Sequence, residues 1–182
     1  MKEKNRVVFL DIETTSLDAF SGVIVGFGLI MESGKEYFAL SKSPDDEVRI
    51  IRDLLKKLEK CQVVVTWNGK RFDFPFIITR ALKLNVDASV LCECHHIDLA
   101  EFVKYNMAMD YASLDRVSRF FEINKNHDLS GSDIPRLYLK ILKGDKKAAS
   151  LVKEHCLDDL RALKMFYQKV KSMLRVRHSD IF

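Results

Sequence analysis

The sequence predicts an α/β domain built on a mixed five-stranded sheet, in the order βββαβαβ, with flanking helices and a helical C-terminal half. Two observations predict it. Short, nearly continuous apolar runs of strand length recur through the first half of the chain, three of them before any helical segment. After these three, the runs alternate with segments whose apolar positions repeat at helical spacing, as they do when helices cover a sheet.

Arg6 to Ile12 (RVVFLDI) is apolar almost throughout, as a central strand covered on both faces requires. Gly22–Met31 and Lys35–Leu40 follow, separated by the turn Glu32-Ser33-Gly34, so the first three strands read as an antiparallel meander. Asp45–Lys60 carries Val48, Ile51, Leu54, Leu55 and Leu58 at amphipathic-helix spacing. Gln62–Trp67 (QVVVTW) is another buried strand. Phe74–Leu84 is a short helix with Pro75 in its first turn, where proline is tolerated. His95–Leu99 is a last short strand. Beyond it, Ser113 caps a helix running through Leu114, Val117, Phe120 and Phe121. Asp133-Ile134-Pro135 opens another through Arg136 to Leu142. A final helix from Asp145 to Leu174 buries Val152, Cys156, Leu160, Leu163, Tyr167 and Val170.

With 182 residues, 47% of them hydrophobic, the chain fits one domain spanning 1–182 with a sizeable core. Seven glycines and three prolines argue against a disordered or low-complexity chain. No apolar run approaches the roughly 18–20 residues of a membrane span. The first 30 residues lack a signal peptide's apolar region and cleavage site, so the expected compartment is cytoplasmic. Cys61, Cys92, Cys94 and Cys156 show no disulfide spacing and read as reduced thiols. The net charge of +4 is unevenly spread: Arg136–Arg177 holds 12 Lys/Arg against 4 Asp/Glu, and the remainder 18 against 22. A basic C-terminal third can track a phosphate backbone, although a solvated helix face has the same composition.

Three acidic motifs carry the chemistry. In FLDIETTSL, Asp11 and Glu13 lie two residues apart on a strand and project from one face. Carboxylates held that close repel one another unless a cation neutralises them, and hard oxygen ligands favour Mg²⁺ or Mn²⁺. An acidic strand end lying in solvent is the plainer alternative. In TWNGKRFDFPFI, Asp73 stands where a loop turns into a helix; it serves as an N-cap, as a carboxylate facing the first strand's end, or as both. In EHCLDDL, His155 and Asp159 lie four apart on one helical face, while Asp158 points elsewhere into solvent. A surface ion pair has the same spacing.

In order and residue type, these motifs resemble the DEDD superfamily of 3′→5′ exonucleases, and in particular the proofreading domain of family B DNA polymerases and its stand-alone relatives. The matching residues are Asp11-Ile12-Glu13-Thr14-Thr15, then Asn68 with Phe72-Asp73, then His155-Cys156-Leu157 with Asp159. The resemblance covers residues 6 to 170. It implies an RNase H-like fold, two divalent ions (Mg²⁺ or Mn²⁺) held by Asp11, Glu13, Asp73 and Asp159, and removal of nucleotides from the 3′ end of single-stranded DNA or RNA. The polymerase subgroup usually carries Tyr where His155 stands. The sister subgroup uses His, usually with one more intervening residue. His155 therefore combines one subgroup's spacing with the other's residue, and it is the expected general base. Thr14, Leu17, Asn68 and Phe72 are expected to contact the substrate. Trp67 and Phe72 offer rings on which a base could stack.

Other functions fit the same residues. An exoribonuclease uses the same carboxylates, and a catalytically silent nucleic-acid-binding module keeps the fold without the reaction. An endonuclease of the RNase H kind fits the Asp-x-Glu pair and the acidic last helix less well. Cys92, Cys94, His95 and His96 raise a zinc reading, but adjacent ligands surround one ion poorly. His127 and His178 have no evident partner in the sequence.

Overall fold

The structure, a computed structural model, describes residues 5–109, 113–126 and 129–176. Strand β1 (Asn5–Thr14) pairs antiparallel with β2 (Ile24–Met31), and β2 pairs antiparallel with β3 (Glu36–Leu40). On its other side β1 pairs parallel with β4 (Cys61–Thr66), and β4 pairs parallel with β5 (His95–Asp98). The result is a mixed sheet in the order β3-β2-β1-β4-β5. Its central strand is β1, which accounts for the apolar run ahead of Asp11.

Helix α1 (Glu47–Leu58) connects β3 to β4, and α2 (Asp73–Lys83) and α3 (Val90–Glu93) connect β4 to β5. The remaining helices are α4 (Leu99–Asn106), α5 (Leu114–Phe120), α6 (Ile134–Leu142) and α7 (Lys146–Val176). None of the described helices is long and apolar enough to cross a membrane.

Strand alternation divides the core. Val8, Leu10 and Ile12 of β1 face one layer, where they pack with Ile50, Leu54 and Ile77 of α1 and α2. Val7 and Phe9 face the other, against Leu160, Leu163 and Phe166 of α7. Asp11 and Glu13 continue this second row, so the odd-numbered face of β1 delivers both carboxylates toward α7. Helix α6 closes the α7 side with Leu137, Tyr138 and Ile141 packed on Val25 and Val152.

The predicted βββαβαβ order is the order observed. Helix α1 starts after Asp45 because Pro44–Asp46 first forms a 3-10 turn. Two helices lie where the sequence showed none. Helix α3 is a single turn, and α4 buries only Leu99 and Val103, too few for a periodic pattern to register.

Candidate metal centre

Asp11, Glu13 and Cys156 place their ligand atoms within 4.8 Å of one another, and they are the one such group of three among the described residues. Register and packing explain how α7 comes this close. Asp11 pairs with Gly28 across the antiparallel ladder, and a Cβ on Gly28 would stand 2.6 Å from both Cys156 Sγ and Leu160 Cδ1. Glycine opposite Asp11 is what lets the helix settle onto the strand.

Asp73 approaches from the opposite layer. The parallel ladder between β1 and β4 is recorded as far as Phe9 and Val65, and beyond it Ile12 donates its N–H to Asp73 Oδ1 at 3.2 Å. A carboxylate thus takes the place of a strand partner and ties the start of α2 to β1. Asp159 comes from α7, one turn beyond His155. It forms an ion pair with Lys125 Nζ at 2.6 Å, and Lys125 also pairs with Asp115. His155 Nδ1 lies 3.9 Å from Asp159 Oδ1 and is buried without a hydrogen-bond partner.

The electrostatics are those of crowded, buried acids. Burial, then the charges of Asp73 and Asp159, push the Asp11 carboxyl well above the ordinary carboxylate range. Burial and then Asp11 do the same to Glu13. Burial raises Asp73 to about 7. Burial, followed by Asp11 and Glu13, also pushes the Cys156 thiol far up, so it stands protonated beside them as a hydrogen-bond donor. Lys125 keeps its charge: burial works against it, but the bonds to Asp115 and Asp159 hold its ammonium above the usual value. Burial lowers the basicity of His155.

Glu13 Oε1 is buried and has no hydrogen-bond partner. An unpaired acceptor among mutually repelling carboxylates is costly, and a divalent cation relieves both penalties. The donor set is therefore one that a metal ion fits.

Beside Glu13 opens a cavity of about 250 Å³ whose lining includes Thr14, Leu17, Phe72 and Pro135. Leu17 and, on the same loop, Phe20 are almost fully exposed, at 87% and 89%. Arg80 anchors that loop. It donates to Ala19 O at 3.1 Å and holds a buried two-point pair with Glu47 at 2.8 and 2.5 Å.

The profile of the RNase_H superfamily matches residues 8–171, from β1 to the far part of α7. The chain belongs to the RNase H superfamily. It is 26% identical to the protein YprB of Bacillus subtilis (strain 168) over 187 aligned positions, covering 97% of this chain and 45% of that protein. Its fold is similar to the family B DNA polymerase of the hyperthermophilic archaeon Pyrobaculum calidifontis, with a TM-score of 0.79 at 22% identity over 91% of this chain. That match takes in 24% of the polymerase chain. The chain thus spans less than half the length of either relative. The polymerase family is the one to which the three motifs pointed.

Within this RNase H superfamily domain, several expectations change. Asp73 is not the cap of α2: Phe72 holds the cap position, and Asp73 is the first helical residue, with its carboxylate turned to Ile12. Asp158 is not solvated. It is 2% exposed and accepts from the Asn126 N–H at 2.6 Å and its side-chain amide at 3.1 Å. It pins the segment that brings Lys125 to Asp159. The ring of Trp67 is half-buried and packs edge-on against Phe166 at 6.0 Å, at the margin of the core. Thr14 and Leu17 line the cavity with Phe72, whereas exposed Asn68 is not among its lining residues.

The zinc reading is not supported, because Cys92, Cys94, His95 and His96 form no converging group among the described residues. His96 instead stacks on Phe74 (3.8 Å, 15°) and bonds Thr66 Oγ1 at 2.8 Å, and burial pushes its basicity down to about 4. His127 and His178 lie outside the described residues.

Three contributors were missed. Lys125 carries no motif, and Cys156, although it stands in the third motif, reads from the sequence only as a core residue. Asp98, at the end of β5, is buried and accepts from the backbone N–H groups of Asn68 (2.9 Å), Lys70 (3.0 Å) and Ala100 (3.0 Å). It folds the loop leading to Phe72 and Asp73 and caps α4, with Asn68 in the left-handed region at φ 60°. With no helix legible after it, Asp98 showed neither its cap of α4 nor its hold on the other loop.

Proposed function

We propose that this chain is a metal-dependent 3′→5′ exonuclease that hydrolyses single-stranded nucleic acid, DNA in preference to RNA, with residues 1–182 serving as one cytoplasmic domain. The observation that carries the reading is the buried, unpartnered Glu13 Oε1 beside Asp11, in a residue that also lines a cavity together with apolar Leu17 and Phe72. The acids supply a cation site, and the apolar lining suits a nucleotide base.

Asp11, Glu13, Asp73 and Asp159 would hold two Mg²⁺ or Mn²⁺ ions. Such ions supply charge neutralisation at the phosphate and lower the pKa of a bound water. The protein's own groups do the rest. Leu17 and Phe72 seat the terminal base, and Thr14 borders the sugar. His155, kept neutral by burial, accepts the proton of the attacking water through its unpartnered Nδ1. Lys125, held at the site's edge by Asp115, faces the phosphate as a fixed positive charge.

The test is hydrolysis of 5′-labelled DNA and RNA strands, single and double, with Mg²⁺ or Mn²⁺. Stepwise shortening that stops on chelation and in Asp11→Asn is expected, with DNA cut faster than RNA. Cutting of a circular strand would indicate an endonuclease instead. Strand binding without metal-dependent shortening would indicate a silent binding module.

A further inference from the structure

Two consecutive residues of α7 receive two consecutive residues of the segment that follows α5. Asp158 takes the N–H and the side-chain amide of Asn126, and Asp159 faces Lys125. The chain is therefore fixed at this point, and the lysine is delivered to the acids with only 11% of its side chain exposed.

The two partners of that ammonium are not equivalent. To Asp115 of α5 it donates a hydrogen bond, and the aspartate side chain is 54% exposed. At Asp159, Nζ stands 2.6 Å from Oδ1, yet this oxygen is buried and accepts no aligned hydrogen bond among the described residues. The contact with Asp159 is one of charge, and the contact with Asp115 is one of charge and hydrogen bond together. Asp11 and Glu13 differ again. Their ligand atoms converge within 4.8 Å, Glu13 Oε1 is unpartnered, and neither acid forms an ion pair among the described residues.

A divalent ion can settle between Asp11 and Glu13 without breaking an existing pair. An ion that binds Asp159 meets an ammonium already on the same oxygen, and like charges that close repel strongly in a buried site. We propose that Lys125 is the resident cation of Asp159. The first divalent ion binds at Asp11 and Glu13, and the second binds only by displacing Lys125 from Asp159 onto Asp115. Asp115 is thus a positioning residue: it keeps the lysine when the second ion enters, and so sets how readily that ion binds. The inference rests on the two-ion exonuclease reading for the purpose of the ions, but the competition is measurable without hydrolysis.

The experiment counts Mn²⁺ ions by titration calorimetry on wild type, Lys125→Met, Asp115→Asn and the double variant. Wild type should bind one ion tightly and a second more weakly. Lys125→Met should tighten the second ion about tenfold and the first by much less. Asp115→Asn changes an exposed side chain, so the fold is kept, and it should weaken the second ion about tenfold by leaving the lysine to Asp159 alone. In the Lys125→Met background Asp115→Asn should have no such effect, because the lysine through which it acts is gone. The proposal is overturned if wild type binds two ions equally tightly, or if Lys125→Met binds the second no more tightly than wild type. It is also overturned if Lys125→Met tightens both ions alike, or if Asp115→Asn weakens binding as much with Met at 125 as with lysine. A chain that follows the expected pattern yet never shortens a strand with Mg²⁺ or Mn²⁺ overturns the exonuclease reading and leaves the competition standing. Stepwise shortening without the pattern overturns the competition alone.

Discussion

Gly28 and Cys156 are in contact across the layer between sheet and last helix, with no room for even a methyl group between them. A Cβ at Gly28 would come within 2.6 Å of the sulfur, and Leu160 blocks the same space. Gly28→Ala therefore forces α7 off β2 just where Asp11 meets Cys156. Overpacking of this kind costs about 1–3 kcal/mol. The expected result is a lower melting temperature together with weaker Mn²⁺ binding by calorimetry. A variant as stable as wild type, with unchanged Mn²⁺ affinity, would show that the contact does not set the helix position.

Crowding among the carboxylates predicts an unusual pH dependence. Asp11, Glu13 and Asp73 are all pushed upward in the folded chain, Asp73 from 3.8 to about 7. Between those values the folded form binds more protons than the unfolded form. This contribution to stability is fully present below the unfolded pKa and is lost as pH rises through about 7. In chelator, the melting temperature should fall by several degrees from about pH 5 to about pH 8, and excess Mn²⁺ should remove most of the fall. Asp11→Asn takes one charge out of the cluster. It should melt higher than wild type at about pH 8 in chelator, gain nothing from Mn²⁺, and lose hydrolysis. Stability that climbs with pH in chelated wild type would contradict the electrostatic picture.

Most of this centre was legible because strand and helix periodicities fix which side chains share a face. Asp11 and Glu13 had to project together, and His155 and Asp159 had to lie on one side of a helix. Sequence could not show which wall each residue meets. Asp158 reads as solvated from its helical position, yet Asn126 closes over it from a loop 32 residues away in sequence. Lys125 reaches Asp159 from that same loop, and no local pattern marks it. Asp73 satisfies a strand N–H that is orphaned only because β4 and β1 part company, a fact of topology rather than of composition. The short α4 was hidden for a different reason: it contributes two buried residues and is held mainly by the Asp98 cap.

Lys125 gives a separate prediction. Its ammonium pairs with both Asp159 and Asp115, and its removal leaves them without that cation. Lys125→Met keeps the stem and deletes the charge. In chelator it should destabilise the fold by roughly 1–3 kcal/mol in urea unfolding. With Mn²⁺ the deficit should shrink, because the ion takes over the neutralisation. A deficit of the same size with and without Mn²⁺ would mean that the lysine serves packing alone.

Arg80 and Glu47 form a buried pair that also accepts the Ile24 N–H and holds Ala19 O of the exposed loop. Removing one partner strands a charge in the interior. Arg80→Met should cost about 3–5 kcal/mol. It should also release the loop carrying Leu17 and Phe20, seen as faster protease cleavage there in Mn²⁺-loaded protein. The double variant Glu47→Gln/Arg80→Met should recover much of the lost stability. If the double variant were no more stable than Arg80→Met, the uncompensated charge would not be the cause.

His155 offers the sharpest test of mechanism, because two roles predict different pH profiles. As proton acceptor it must be neutral, and burial lowers its basicity below the ordinary histidine value. The acid limb of kcat should then fall below the usual histidine pKa of about 6.5, with a flat rate above it. His155→Ala should lose about 10²–10⁴-fold in kcat and lose that limb as well. His155→Tyr places a phenol hydroxyl where the imidazole stood, the residue type that the motif resemblance led one to expect there. It should recover part of the rate while the limb stays absent, since a phenol does not titrate there. If His155 only orients Asp159, at 3.9 Å, the limb should survive in His155→Ala and the loss should appear instead as weaker Mn²⁺ binding.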